Sequence, residues 1–570
     1  MSLRGVAQGS LYGLVDMGSN GIRFSITDLS PSTARSLPTV YQDREGISLY
    51  DAQYSYAGGA KGPIPQEIID AVVTSLLKFK TTCADFGVPG TNIRILATEA
   101  TRTADNSEDY RRQIREATGW EVDLLPKEIE GRIGALGVAS SFDQVSGLVM
   151  DLGGGSTQIT WMIAQDGKVQ TSHKGSFSFP YGAAAMTRRL AEIQLQRDGA
   201  KAHAELQETM KQEFQQAYRD LELPESLQYQ AKHGGLTLYL SGGGFRGWGY
   251  LLMSQHRVSP YPIPIINGFS VQKREFQQTA TISTVAAEES VFRISKRRAA
   301  QVPAVAFLVN VLVAALPMIQ NVRFCQGGVR EGFLFDTLDP ATKALHPLQA
   351  ATAQYGPNSA EEIGRLLLSG LPGENDLDRH VPPSFTRSFI RSVADMMYLH
   401  SPLPKESRST AAMQAPLVGV LAAAHGISHT DRALLALVLC QRWNVDLAPP
   451  NSHTEQRLRA ILTPQEVFWT NYLGALALLV GDVYPAGQVN SKQPRLEFHA
   501  RWTSGLGKKG LQDGVALVIK CRKDDHMTSP AVLNRSIKEV EAVGKKKNRV
   551  GGKEHGFGVP IEVDVQRVLG

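Results

Sequence analysis

Cysteine is scarce in this chain: four residues in 570, at positions 83, 325, 440 and 521, with no CxxC pair. That excludes a disulfide-stapled scaffold and a cysteine-built zinc site, and it predicts a reducing, cytoplasmic setting. A His-Asp dipeptide is absent, which removes the core of metal-dependent HD phosphohydrolase chemistry. A GxxxxGK[ST] phosphate loop is absent too; "GLGKKG" (505–510) has the wrong spacing and reads as an exposed turn. The opening "MSLRGVAQGSLYG" lacks the apolar core of a signal peptide. The greasiest run, residues 304–316, lies between Pro303 and Pro317. As a helix it would span only about 20 Å, short of a bilayer, so a buried helix and no membrane partner are expected.

What remains describes an ordinary globular protein of several domains, 42% apolar and 20% charged. Net charge is +5, but from residue 495 onward 15 Lys/Arg face 9 Asp/Glu, leaving the rest of the chain at −1. The most basic run, "GKKKNR" (544–549), carries no interleaved aromatics, so it reads as a solvated loop and direct nucleic-acid binding is not expected.

Along the first third, strand and helix patterns alternate. "LYGLVD" is an apolar strand and "GIRFSITD" (21–28) alternates as a second, antiparallel one. After Pro65, Ile68, Val72, Leu76 and Ile69, Val73, Leu77 repeat at i, i+4, i+8, and Gly87 closes the helix. "NIRILAT" and "EVDLLP" are strands, and "EDYRRQIREATG" is a helix ending at Gly119. In "KEIEGRIGALGVA", Gly131, Gly134 and Gly137 form a smooth stripe that predicts close packing against another backbone. Residues 342–489 read as helical, and the remainder as a small α+β module.

The decisive pattern is a near-repeat. "LVDMGSNG" (14–21) returns as "LVMDLGGGSTQ" (148–158): apolar strand, Asp, glycine-rich turn with a hydroxyl, alternating strand. Asp16 and Asp151 lie 135 positions apart (151 − 16), which predicts a duplicated domain whose turns face each other across a cleft. Tight turns with glycine offer backbone N–H donors to phosphate, and a carboxylate at each strand end can hold Mg2+ against phosphate oxygens. Taken alone, "DMGSNG" reads as a plain hairpin, since Asn-Gly is a favoured loop. Two further glycine-rich strand ends, "LYLSGGG" and "FCQGG", favour the phosphate site.

The motifs "DMGSN", "DLGGGST", "ATEATRTADN", "EIEGRIGALGV" and "GGVREG", in that order, resemble the exopolyphosphatase/guanosine pentaphosphatase (Ppx/GppA) phosphatases. The resemblance implies an α/β fold: a duplicated actin/sugar kinase/Hsp70-like (ribonuclease H-like) domain with an interdomain cleft. Its halves would occupy residues 1–145 and 146–340, followed by a helical domain (341–490) and a small basic α+β module (491–570). It further implies that Asp16, Gly18, Ser19 and Asn20 form one phosphate turn, and Asp151 with Gly153, Gly154, Gly155, Ser156 and Thr157 the other. Arg102 would reach the phosphate chain, Glu130 would serve as catalytic base, and Asp16 and Asp151 would hold Mg2+. Without the resemblance, Glu130 reads as a helix-surface acid like Glu128.

Two positions depart from the family pattern: Gln158 stands where a Glu is expected, and Gly21 where a Ser is expected. Losing the carboxylate weakens metal binding, and losing the hydroxyl removes a phosphate donor. The implied function is therefore a regulatory phosphate binder, like the family's fungal branch that reports mitochondrial dysfunction to the nucleus. A nucleotide or polyphosphate would occupy the cleft and alter affinity for a signalling protein; a homodimer is left open. The alternative is an active exopolyphosphatase or guanosine pentaphosphate phosphohydrolase. His425 and His429, four apart, could share a helix face but find no completing acids and read as structural.

Overall fold

Two five-strand arrangements of identical order organise the N-terminal half of this computed structural model, which describes residues 9–56, 60–287, 296–373, 380–507, 510–551 and 556–568. The first sheet runs β3-β2-β1-β4-β5, from β1 (Leu11–Gly18), β2 (Gly21–Asp28), β3 (Thr39–Glu45), β4 (Ile93–Ala97) and β5 (Val122–Leu124). The antiparallel trio β1–β3 is joined by β4 and β5 in parallel. Its helices are α1 (Leu49–Gln53), α2 (Gln66–Phe86), α3 (Glu99–Arg102), α4 (Ser107–Thr118) and α5 (Lys127–Ser140).

The second sheet repeats the plan. Its strands are β6 (Val145–Leu152), β7 (Thr157–Gln165), β8 (Lys168–Thr171), β9 (Phe177–Phe179), β10 (Leu236–Ser241), β11 (Ser270–Gln272) and β12 (Ile319–Phe324). The order β8-β7-β6-β10-β12 matches the first sheet strand for strand, with β11 added at one edge and β9 paired to β7. Its helices are α6 (Ala183–Gln194), α7 (Gly199–Asp220), α8 (Glu225–His233), α9 (Gly242–Ser254), α10 (Lys273–Phe276), α11 (Thr279–Ala287), α12 (Lys296–Ala315) and α13 (Val329–Thr337).

The strands form where apolar residues face inward on both sides: Leu14, Val15 and Met17 in β1 and Leu148 and Met150 in β6 are wholly buried. Helix α2 starts after Pro65 and ends at Gly87 in the left-handed region (φ 73°). It buries Ile69, Val72, Leu76, Phe79 and Cys83, while Leu77 stays exposed; the stripe is narrower than its i, i+4 spacing suggested. The apolar run 304–316 lies in α12 as far as Ala315; the helix begins earlier than Pro303 and carries that proline inside. Residues 298–315 of α12 are long and apolar enough to cross a membrane, yet much of this stretch is buried, packed on α6, α7 and α9.

The glycine stripe of α5 shows what it is for. A Cβ on Gly332 would lie 1.9 Å from the Ile133 carbonyl oxygen, and one on Gly137 would lie 2.3 Å from the Gly328 carbonyl oxygen. Helices α5 and α13 therefore meet backbone to backbone. At Gly134, by contrast, a Cβ would meet nothing within 4 Å.

The chain divides into two compact units: Met1–Arg257, Ile265–Pro347 and Ala423–Ile427; and Val258–Pro264, Leu348–Ala422 and Ser428–Gly570. Both sheets above belong to the first. The second contains helices Ala360–Ser369, Arg387–Met396, His429–Trp443 and Pro464–Val483 and a three-stranded sheet of β13 (Leu496–Leu506), β14 (Gln512–Arg522) and β15 (Ile561–Val568). Helix Pro530–Val543 connects β14 to its parallel partner β15. The run "GKKKNR" is exposed from Lys545 to Arg549, whereas Lys508 and Lys509 of "GLGKKG" lie outside the described residues. All four cysteines are buried, unpaired thiols.

Because α5 carries residue 130 towards the site, the α5–α13 contact can be tested directly. Gly332→Ala should destabilise the protein by about 3 kcal/mol or more, the upper end for overpacking. Chemical denaturation would register it; an unchanged midpoint would contradict the contact.

Candidate functional site

The register of each hairpin sets the chemistry at its end. In the first, Gly18 pairs with Gly21, leaving Ser19 and Asn20 as the two-residue turn; the reversal falls one residue earlier than Asn20-Gly21. The same register places Arg23 opposite Asp16, and their side chains meet at 3.3 Å. In the second hairpin, Leu152 pairs with Thr157, so Gly153 to Ser156 form a four-residue turn, and Gln158 stands opposite Asp151. Arg23 and Gln158 are thus equivalent positions in the two copies.

The turns face each other. A Cβ on Gly154 would lie 2.7 Å from the Asn20 side-chain amide, and one on Gly155 would lie 2.7 Å from Glu99 Oε2. The second turn is tied down from behind: the N–H groups of Ala183 and Ala184, at the start of α6, donate to the carbonyls of Gly153 and Gly154, both at 2.9 Å. Between the turns lies an open cleft, within the first unit.

Of the residues expected at a phosphate site, Asp16, Gly18, Ser19, Asn20, Glu130 and Asp151 line this cleft. So do Gly153, Gly154 and Ser156, together with both departures, Gly21 and Gln158. Three others are placed differently. Thr157 is fully buried and its hydroxyl donates to the Asp151 carbonyl at 2.8 Å. Gly155 packs on Glu99 and Tyr50. Arg102 is not in the cleft wall; its Nη1 donates to Glu130 Oε2 at 3.0 Å and to the Leu125 carbonyl at 2.5 Å.

Gly21 is more than a missing hydroxyl. Its φ is +154°, and a Cβ there would come within 3.1 Å of Arg44 Nε and the Glu45 carbonyl. Arg44 occupies that space, donating through Nη2 to the Asn20 carbonyl at 3.2 Å.

The largest gap in the sequence reading is cationic. Arg23, Arg44, Arg246 and Arg298 all reach the cleft, from β2, β3, α9 and α12. Burial lowers the Arg246 guanidinium to about 9, aided by repulsion from Arg23 and Arg298. Burial lowers Arg298 to about 10, aided by Arg44 and Arg23. Crowded cations that repel one another gain from an anion among them. Their separation in the chain hid them; only the "GGGFRG" placement of Arg246 beside a glycine-rich strand end offered a signal.

The carboxylates are less free. Burial raises Asp151 above the usual carboxylate range, against the opposing pull of the Ser241 hydroxyl that donates to it and of Arg246 and Arg23. Asp16 is engaged by Arg23, and Gln158 carries no charge. No cluster of three or more His, Cys, Asp or Glu residues suited to a metal ion occurs among the described residues. As a ready-made Mg2+ site, the pair Asp16 and Asp151 does not fit. His425 precedes the helix that begins at His429, so the two share no helix face; His429 Nδ1 instead sits 2.8 Å from the Tyr261 hydroxyl.

Glu130, by contrast, is shifted towards the neutral form. Unlike exposed Glu128, it is mostly buried, and burial raises its carboxyl to about 7, with Arg102 pulling the other way and Glu99 and Asp151 adding to the rise.

Two copies of one sheet order, closing two phosphate-type turns over a cleft, define a duplicated actin-like domain. Residues 29–341 match the Ppx/GppA phosphatase family and residues 346–568 the RTG2 C-terminal domain. The chain belongs to the Ppx/GppA phosphatase family. It is 35% identical, over 95% of both chains, to retrograde regulation protein 2 of Saccharomyces cerevisiae. It is 25% identical to exopolyphosphatase 1 of Mycobacterium tuberculosis over 31% of this chain and 47% of that one. The Aquifex aeolicus Ppx/GppA phosphatase crystal structure aligns with TM-score 0.43 and 21% identity, over 58% of this chain and 99% of that chain.

The Glu130 shift gives a pH signature. Its folded value of about 7 exceeds the ordinary 4.5, so folding favours the protonated form. The ionisation penalty is absent below the lower value and grows as pH rises towards the higher one. Glu130→Gln should therefore gain stability relative to wild type between about pH 5 and about pH 7.5, by on the order of 1 kcal/mol or more. Urea titrations across that range would show it; a constant gap would count against the buried-acid account.

Proposed function

We propose that this chain is a regulatory phosphate-binding protein of mitochondria-to-nucleus retrograde signalling. A nucleotide or polyphosphate occupies the cleft, and occupancy changes affinity for a signalling protein partner in the cytoplasm. Neither a membrane nor a nucleic acid is needed as partner, and a homodimer would be compatible with the scheme. The observation that carries the reading is the convergence of four guanidiniums on two opposed turns, one of them braced by a helix. Polyanions suit guanidinium donors, which stay charged and bond through two nitrogens. The likeness to retrograde regulation protein 2 along nearly the whole chain supports the regulatory role. For the ligand to act as a signal, it must bind two arrangements of the protein with different affinity.

The near-neutral Glu130 favours a second reading, phosphohydrolysis. Here the carboxylate takes a proton from water as the water oxygen bonds to the terminal phosphorus, and the bridging P–O bond breaks, its electrons leaving with the shortened chain. Arg102 would hold Glu130 in place through its 3.0 Å bond. Any Mg2+ at Asp16 and Asp151 would have to compete with Arg23 and Ser241 for those carboxylates.

Phosphate release from polyphosphate, guanosine pentaphosphate and ATP separates the readings. The regulatory reading expects binding with negligible turnover; Mg2+-dependent turnover lost in Glu130→Ala would establish the second. In the binding assay, Arg246→Ala should weaken affinity about tenfold or more. Unchanged affinity would remove the guanidinium cluster from the site. Gln158→Glu should raise Mg2+-dependent hydrolysis if the missing carboxylate limits it.

A further inference from the structure

The side chain that breaks the family pattern is not idle. Gln158 Nε2 donates a hydrogen bond to Ser156 Oγ at 2.9 Å, and both residues line the cleft. Ser156 is 7% exposed, so this bond holds a nearly buried hydroxyl at the cleft wall. A serine hydroxyl has one hydrogen to give and lone pairs to accept. When the amide supplies the donor, the hydroxyl accepts, and its own hydrogen remains available. Among the described residues, no acceptor takes that hydrogen.

A carboxylate in place of Gln158 would reverse this arrangement. It can only accept, so the serine hydrogen would turn towards it and away from the cleft. The new negative charge would also face any incoming phosphate and would need a cation between them. In the chain as it stands, that positive charge is already supplied by Arg23, Arg44, Arg246 and Arg298.

We propose that Gln158 is a positioning residue that aims the Ser156 hydroxyl hydrogen at the ligand, so that the cleft takes phosphate chains as metal-free anions in preference to their Mg2+ complexes. The inference rests on the reading that the cleft holds phosphate, and it adds the form of the ligand. The Asp151 side of the site fits: the Ser241 hydroxyl already donates to that carboxylate. Mg2+ brought with the ligand would meet guanidiniums that repel it and a neutral amide that holds it weakly, while of the cleft's four acids Asp16, Asp151 and Glu130 are already held by Arg23, Ser241 and Arg102.

The test is a double-mutant cycle on the full chain, with tripolyphosphate as probe, titrated calorimetrically in EDTA and in excess Mg2+. Wild type should bind in EDTA and weaken about tenfold or more when Mg2+ complexes the probe. In EDTA, Ser156→Ala should cost about tenfold, the scale of one hydrogen bond to a charged group. Gln158→Glu should cost at least as much in EDTA and recover on adding Mg2+. In the Gln158→Glu background, adding Ser156→Ala should change affinity less than about twofold, because the hydroxyl is already turned away.

Equal cost of Ser156→Ala in both backgrounds would overturn the proposal, as would a wild type that prefers the Mg2+ complex. Gln158→Met supplies a second arm should the acidic variant not fold: it removes the donor without adding charge. It should lower affinity several-fold in EDTA without creating Mg2+ dependence, and unchanged affinity would again overturn the proposal. No binding by wild type in either condition would bring down the phosphate-cleft reading itself, and this inference with it. Binding with additive losses would bring down only the inference.

Discussion

The first unit depends on how closely its two turns approach. Asn20 sits so near Gly154 that a side chain added there would displace its amide, and one on Gly155 would displace the Glu99 carboxylate. This approach brings two strand ends from separate sheets to a single cleft. If the turns stood further apart, Asp16 with Arg23 and Asp151 with Gln158 would be two unrelated hairpin ends. Held together, they share one cleft and a common field, so that Asp16 and Arg23 of the first hairpin act on the ionisation of Asp151 in the second, and Arg23 on that of Arg246.

That shared field explains why the site is balanced rather than simply basic. Four arginines face Asp16, Glu99, Glu130 and Asp151 around the same cleft. Buried like charges cost free energy, and pairing with opposite charges offsets only part of it. Arg246, Arg298, Glu130 and Asp151 all carry the mark of that cost, the guanidiniums lowered and the carboxyls raised by burial. An incoming polyanion would relieve the arginines and work against the acids, so ligand charge and the protonation of Glu130 are linked.

Local patterns carried much of this organisation. Strand β2 spans the residues its alternation marked, and Pro65 and Gly87 bracket α2 as helix signals should. The repeat of "LVDMGSNG" announced the duplicated sheet order, while of the glycine stripe Gly137 alone meets another backbone. What stayed hidden was long-range: Arg44, Arg246 and Arg298 come from distant elements, and no spacing rule links them. Nor could composition show that Thr157 turns its hydroxyl inward, or that Arg102 holds Glu130 instead of lining the cleft. Such facts depend on which face of a strand or helix the tertiary fold presents.

The two departures from the family pattern differ in how easily they could be undone. Gln and Glu codons differ at their first base alone, so position 158 is one point mutation away from its acidic counterpart. Its side chain stands at the open cleft wall, where an isosteric exchange meets no backbone. Gly21 is entrenched: its φ of +154° and the guanidinium of Arg44 behind it oppose any Cβ. A single substitution would place a carboxylate at 158, whereas a serine at 21 would need both the Arg44 side chain and the Glu45 carbonyl to give way. The path towards the family pattern is thus shorter on one side of the cleft than on the other.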